Sequence, residues 1–242
     1  MQLTDLTNFE LLNGIFTFIF VVISIIVGLR ICLKYFEYNQ SVFLTVGLTW
    51  ILMSSAWWGS AFTFLSIALM QSLPDPMVFL ILSNAFVSIA VFLWIYSFGV
   101  LVYTDKKTQL TVLYGLICGI YEIIIIIFLI TSPDDVAVVG TFDSKAGLIV
   151  IVFQIFSILT ALITGILFAN RSRASEDETV RLKGTFLMIA FISFTAGGLL
   201  DVVLPATPTS IVIIRLILIS AVVEYYLGFL LPDRIAAILT GN

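Results

Sequence analysis

The chain has 242 residues, of which 61% are hydrophobic and 11% are charged, with a formal net charge of −4 at pH 7. Charged residues make up about a quarter of a soluble domain, so this composition excludes an ordinary soluble protein and indicates a membrane protein. The chain contains no histidine, which excludes a histidine-based metal site. It also lacks the basic stripe that binds nucleic acid. We therefore expect no metal site and no nucleic-acid partner.

Apolar segments of about 20 residues or more run through the whole chain, separated by short polar loops. A helix rises about 1.5 Å per residue, so each segment can cross about 30 Å of hydrocarbon. The sequence predicts one all-α domain over residues 1–242, a polytopic seven-transmembrane-helix bundle embedded in the lipid bilayer. The predicted spans are Leu11–Leu33, Val42–Met70, Met77–Tyr103, Leu110–Thr131, Ala146–Ala169, Gly184–Pro205 and Ile211–Pro232.

Lysine and arginine residues are concentrated in alternate connections. They follow the first, third, fifth and seventh spans, whereas the N-terminal segment and the connections after the second and sixth spans have none. The connection after the fourth span has only Lys145. Because cytoplasmic loops collect basic residues, we predict an outer N-terminus, an inner C-terminus and a location in the plasma membrane. The outer loops are acidic, which would attract a cation, but ordinary solvated loop carboxylates are the favoured interpretation.

The second predicted span carries tryptophans at positions where they are uncommon. Trp50 and Trp57 recur at helical spacing, and Trp58 adjoins them. Tryptophan normally marks the membrane interface, yet Trp57 and Trp58 lie mid-span, and their indole N–H groups need acceptors. We expect at least one ring to point into the bundle. The pattern is typical of an aromatic ligand pocket or of plain packing, and Asn84 and Gln154 on the third and fifth spans could complete such a pocket.

Two carboxyl groups lie deep in predicted spans, Glu122 in the fourth and Glu224 in the seventh. A charge is costly in hydrocarbon, so such residues normally face the protein interior. Gly115 and Gly119 beside Glu122 have the small-residue spacing that favours close contact with another helix. Neither carboxyl has a basic residue at its depth. We interpret both as candidate proton or cation sites, or as neutral hydrogen-bonding groups.

The longest inner connection, Asn170–Lys183, mixes both signs of charge. Ser175 and Glu178 have capping-box spacing, which predicts that a helix restarts there. The basic side chains of this connection are candidates for docking a cytoplasmic protein partner. They are Arg171, Arg173, Arg181 and Lys183.

Opposite charges lie near the outer ends of the last two spans. Asp201 and Arg215 are each about one helical turn, or roughly 6 Å, below the predicted boundary, on helices joined by a tight turn. Either charge alone would be costly there, so the sequence predicts an ion pair. The pair serves either as a structural clasp between the two helices or as a binding or gating pair at the outer mouth.

Seven helices with an outer N-terminus resemble microbial rhodopsins and G-protein-coupled receptors. Retinal needs a Schiff-base lysine in the last helix, and Ile211–Pro232 contains none, so we expect no retinal and no other cofactor. The segment Tyr225–Pro232, YYLGFLLP, resembles the last helix of seven-helix sensor regions in prokaryotic histidine kinases. In such kinases a transmitter domain follows, whereas this sequence ends at Asn242. The resemblance therefore implies signalling to a separate partner.

Two functions fit these features. The first is a sensor or receptor-like protein that binds a small ligand within the bundle and signals through its inner loops. The alternative is a small transporter or proton-coupled carrier built from three-helix repeats around the fourth helix, with Glu122 and Glu224 as titrating groups. No catalytic motif is present, so we name no catalytic residue and favour a non-enzymatic role. The predicted ligand-binding residues are Trp57, Trp58, Asn84, Asp201 and Arg215.

Overall fold

A computed structural model describes residues 1–240, and seven helices in this range are long and apolar enough to cross a membrane. They confirm the seven predicted spans, with ends that differ by several residues. The chain is thus a polytopic membrane protein. The spans are α1 (Asn8–Tyr38), α2 (Ser41–Met70), α3 (Pro76–Leu101), α4 (Thr104–Thr131), α5 (Leu148–Arg173), α6 (Glu178–Val203) and α7 (Pro208–Leu230). A short helix, α8 (Asp233–Thr240), follows them.

The second span is interrupted near its middle. Its helical segments Ser41–Met53 and Trp58–Met70 are joined by a 3-10 turn over Ser54–Trp57. The Ser54 hydroxyl donates a hydrogen bond to the carbonyl oxygen of Ile51 at 2.7 Å, which helps to satisfy the interrupted backbone. A 3-10 stretch inside a helix often marks a functional or strained segment, and here it ends at Trp57.

Six of the seven spans form a closed ring in the order α1, α2, α3, α5, α6 and α7, with α7 packing against α1. Helix α4 lies outside this ring and packs against α3. It also contacts α5, where the rings of Tyr121 and Phe153 stack with centroids 3.5 Å apart.

The predicted close helix contact beside Glu122 is wrong at Gly119. No neighbouring heavy atom of the described residues lies within 4 Å of a Cβ built at Gly119, whereas one built at Gly115 would contact Phe92. Gly119 is exposed because α4 is peripheral and presents this side away from the ring.

The connection between α4 and α5 contains a β-hairpin that the sequence analysis did not predict. A helical turn over Pro133–Val136 leads into β1 (Ala137–Val139), which pairs antiparallel with β2 (Ser144–Ala146). Phe142 anchors the tip, because its side chain is buried and its carbonyl oxygen accepts a hydrogen bond from Ser60 Oγ at 2.6 Å. The hairpin therefore folds over one end of the ring, which we call the hairpin end.

The connection between α5 and α6 is shorter than predicted, because the two helices leave only residues 174–177 between them. Asp177 is the residue that caps α6. Its Oδ1 accepts hydrogen bonds from the backbone N–H groups of Thr179 and Val180 at 2.7 and 3.1 Å. The predicted cap at Ser175 is wrong, because the Ser175 hydroxyl instead accepts a hydrogen bond from the backbone N–H of Asp177.

Candidate functional site

A cavity of about 660 Å³ lies inside the ring at the hairpin end. All six ring helices and the hairpin contribute to its walls. Small-molecule sites have volumes of about 300–1,000 Å³ and mostly apolar walls with a few polar groups. The apolar wall includes Met53, Phe79, Phe142 and Phe194.

An ion pair forms part of the cavity wall. Asp201 Oδ1 on α6 lies 3.0 Å from Arg215 Nη1 on α7, which confirms the predicted pairing. Asp201 Oδ2 accepts a hydrogen bond from Trp57 Nε1 on α2 at 2.7 Å. Trp57, Asp201 and Arg215 all line the cavity, so three of the five predicted ligand residues are brought together.

Helix α1 fixes the guanidinium group from another side. Arg215 Nε donates a hydrogen bond to Thr17 Oγ1 at 2.9 Å, and the Thr17 hydroxyl donates to Asn13 Oδ1 at 3.2 Å. Neither Thr17 nor Asn13 could be predicted as part of the site, because nothing in the sequence places α1 against α7. The one available signal was a pair of polar residues four positions apart, and therefore on one helix face, in an apolar segment.

The two charges of the pair differ in exposure. The Arg215 side chain is 6% exposed, whereas that of Asp201 is 25% exposed. Arg215 Nη1 is fully buried and is not aligned for a hydrogen bond with the described residues, so its contact with Asp201 is electrostatic. The carboxylate is therefore the more accessible charge of the pair.

The other two predicted ligand residues lie elsewhere. Trp58 Nε1 donates a hydrogen bond to Ser54 Oγ at 3.0 Å, and the Trp58 ring packs against Phe86. Asn84 Nδ2 donates to the carbonyl oxygen of Leu80, one turn earlier in the same helix. Within the described range, neither Trp58 nor Asn84 lines the cavity. Adjacent helical residues diverge by about 100°, so Trp57 and Trp58 point in different directions.

An aromatic cluster adjoins the cavity on the side away from the hairpin, and we call it the aromatic floor. The rings of Trp50 and Tyr225 stack with centroids 4.0 Å apart, and Phe194 lies 5.3 Å from Trp50. The space among these rings measures about 10 Å³, which is about the least that one water molecule needs. The floor comprises Trp50, Trp94, Phe191, Phe194 and Tyr225.

The two deep carboxyl groups lie away from the cavity. Glu122 Oε2 accepts a hydrogen bond from Ser88 Oγ, which joins α4 to α3. Glu224 Oε2 is buried and has no hydrogen-bond partner among residues 1–240. Neither carboxyl lines the cavity in this part of the chain. The structure therefore does not bring Glu122 and Glu224 together there.

The predicted docking residues lie on the ends of α5 and α6. Arg171 Nη1 donates a hydrogen bond to the carbonyl oxygen of Val102, so this arginine ties α5 to the end of α3. Arg181 pairs with Glu178 at 3.2 Å. Arg173 is exposed and Lys183 is half-buried.

The described residues contain no group of three or more Cys, Asp or Glu side chains that could hold a metal ion. No protein-family model, curated protein or solved structure matches this chain. The resemblance of Tyr225–Pro232 to sensor regions of histidine kinases thus has no support from related proteins.

Proposed function

We propose that this protein is a sensor or receptor-like protein of the plasma membrane that binds a small ligand in the cavity at the hairpin end. The observation that carries the proposal is the cavity of about 660 Å³, with Trp57, Asp201 and Arg215 in its wall. Its mostly apolar surface and few oriented polar groups are typical of small-molecule sites.

The hydrogen bonds and the ion pair around Asp201 would couple ligand binding to the arrangement of the helices. Trp57 joins α2 to α6 through Asp201, and Arg215 joins α7 both to α6 and, through Thr17, to α1. A ligand that competes for one of these contacts alters the relative stability of two helix arrangements, which is what a sensor requires.

In this proposal the signal leaves through the opposite end of the bundle. The basic side chains of Arg173, Arg181 and Lys183 near the α5–α6 connection would dock a cytoplasmic protein partner. Arg171 would contribute less directly, because its guanidinium group is already bound to the end of α3.

A small transporter or proton-coupled carrier is the second candidate function. One observation favours it: the ring consists of α1–α3 and α5–α7, with α4 outside, which is the order expected for two three-helix repeats. The aromatic floor weighs against it, since these packed rings lie between the cavity and the opposite end of the bundle. The positions of Glu122 and Glu224 away from the cavity also favour the sensor.

The test is thermal unfolding of the purified protein, followed by circular dichroism, with a panel of amphiphilic aromatic compounds of different head-group charge. A compound that binds the folded state raises the unfolding midpoint. We expect at least one compound to do so, and Ala56→Phe, which fills the cavity, to abolish the shift. Gly119→Phe, on the exposed side of α4, is the matched control and should retain it.

Three outcomes would contradict the sensor proposal. A midpoint that no compound raises, or a shift that survives in Ala56→Phe, removes the cavity as a ligand site. Flux of a bound compound across liposomes that stops in a folded Glu224→Gln variant favours the carrier.

A further inference from the structure

We infer that the cavity selects organic cations, specifically a protonated amine carried on an apolar or aromatic body, with the ammonium group at Asp201. This inference rests on the proposed function, because it names the class of ligand that the same cavity takes. Three features of the cavity support it: the unequal access to its two paired charges, its aromatic wall and the acidity of its mouth.

The first feature is the accessibility of the carboxylate. A carboxylate has about four acceptor positions, and Asp201 uses one for Trp57 Nε1, while its contact with Arg215 is an ion pair without an aligned hydrogen bond. The Asp201 side chain is 25% exposed, so a ligand amine can donate to it without displacing either partner.

A ligand carboxylate would find its partner in the ion pair less accessible. Beside Asp201 it would have to reach the guanidinium group of Arg215, whose side chain is 6% exposed. The Nε of that group already donates to Thr17, and its Nη1 is fully buried. An anion at Arg215 would therefore meet a largely buried cation that is already paired with Asp201, and the Asp201 carboxylate would repel it. The other basic residue of the described cavity wall is Lys145, which is exposed and lies on the hairpin two positions from the exposed carboxylate of Asp143.

The second feature is the aromatic part of the cavity wall. Trp57, Phe79, Phe142 and Phe194 line the same cavity. Aromatic faces attract cations, and the attraction grows when the cation is removed from water. The same rings provide an apolar surface for the body of the ligand. Gln154 also lines the cavity and has no hydrogen-bond partner among the described residues, so it offers the ligand a second polar contact.

The third feature is the charge around the mouth. The N-terminal segment lies at the hairpin end, because the Met1 amino group donates a hydrogen bond to the carbonyl oxygen of Gln71 in the α2–α3 connection. Acidic side chains therefore outnumber basic ones here, which concentrates cations near the opening. The acidic residues are Asp5, Glu10, Asp75, Asp134, Asp135 and Asp143, and the lysine among these segments is Lys145.

The experiment compares three compounds with one phenylbutyl body: 4-phenylbutylamine, 4-phenylbutanol and 4-phenylbutanoate. The wild-type protein is studied in phosphatidylcholine nanodiscs, and the concentration that gives half of the maximal rise in unfolding midpoint is measured. We expect the amine to act at a concentration at least tenfold lower than the alcohol or the carboxylate. In Asp201→Asn, the amine should no longer act at a lower concentration than the other two compounds. In Ala56→Phe, none of the three compounds should raise the unfolding midpoint.

The comparison of the three compounds on the wild-type protein tests the cation inference even if Asp201→Asn does not fold. Equal action of the alcohol shows that only the apolar body is recognised, and stronger action of the carboxylate shows an anion site. Either result overturns the cation inference while leaving ligand binding intact. If no compound of any charge acts on the wild type, the proposed function fails as well.

Discussion

Trp57 and Asp201 are 144 positions apart in the sequence, yet the indole N–H of one donates to the carboxylate of the other at 2.7 Å. This bond connects the 3-10 turn of α2 to the ion pair between α6 and α7. With Thr17 and Asn13 it completes a continuous polar network across four helices in a bundle that is otherwise mostly apolar. The network places Trp57, Asp201 and Arg215 at one position in the cavity wall.

The ion pair should respond asymmetrically to the loss of either partner. Asp201→Asn leaves the buried Arg215 charge without its counter-charge, which costs about 3–5 kcal/mol of unfolding free energy. Arg215→Met leaves a carboxylate that is 25% exposed, so we expect a smaller cost. Unfolding by SDS in mixed micelles measures both. The double variant should be more stable than Asp201→Asn alone, and simple additivity of the two costs would contradict the coupling.

The aromatic floor should limit how far water-soluble reagents enter. Gln154 and Ala161 lie on one face of α5, about 10 Å apart along its axis, and Gln154 lines the cavity whereas Ala161 adjoins the floor. We expect a charged thiol reagent to label Gln154→Cys and to leave Ala161→Cys unreacted. The free cysteines Cys32 and Cys118 are first replaced by serine. Rapid labelling of both positions would show that the floor is open.

The hairpin should restrict entry to the cavity. Phe142 is 4% exposed, and its truncation to alanine removes the buried side chain that anchors the tip, at a local cost of about 3–5 kcal/mol. We therefore expect the labelling rate of Gln154→Cys to rise at least several-fold in Phe142→Ala. Val138→Ala, in the same hairpin but at a side chain that is 58% exposed, is the control. An unchanged rate in Phe142→Ala would show that the hairpin does not cover the entrance.

The contact between α1 and α2 should be intolerant of a single methyl group. A Cβ at Gly47 would lie 2.5 Å from the carbonyl oxygen of Gly28 and 2.5 Å from Cys32 Sγ. Since backbone cannot move aside easily, Gly47→Ala should lower the unfolding free energy by about 1–3 kcal/mol. Gly119→Ala meets no neighbour within 4 Å among the described residues, and should raise it by about 0.5–1 kcal/mol. Equal changes in unfolding free energy for Gly47→Ala and Gly119→Ala would contradict the exposed position of Gly119.

The membrane orientation follows from loop charge and remains a prediction. Asp134 lies at the hairpin end, and Glu176 lies in the α5–α6 connection. With an outer N-terminus, a membrane-impermeant maleimide should label Asp134→Cys in intact cells and Glu176→Cys only after permeabilisation. The reverse pattern would invert the proposed directions of ligand entry and signalling.

The spans and the Asp201–Arg215 pair could be predicted from sequence because both follow from local rules. The length of an apolar run determines a span. Two opposite charges at equal depth on consecutive helices are expected to pair, because each is costly to bury alone. The inner connection was less predictable, since Ser175 and Asp177 are both common capping residues, and the choice between them depends on where α6 begins.

The orientation of individual faces could not be predicted in the same way. In a bilayer the lipid-facing and protein-facing sides of a helix are both apolar, so hydrophobic periodicity does not identify the inward face of α4 or place Gly119. The acceptor of Trp57 and the contact of Thr17 with Arg215 depend on how the ring closes. The hairpin has strands of only three residues, too short for an alternating pattern to show.

The bond between Trp57 and Asp201 also gives the protein an optical reporter of its own. Indole emission shifts with the electric field around the ring, and Trp57 lies beside both charges of the pair. Trp50 and Trp94 belong to the aromatic floor, and Trp58 packs against Phe86, so their emission provides a steadier background. A change in intrinsic fluorescence would therefore follow any event that separates Asp201 from Arg215, without a label attached to the chain.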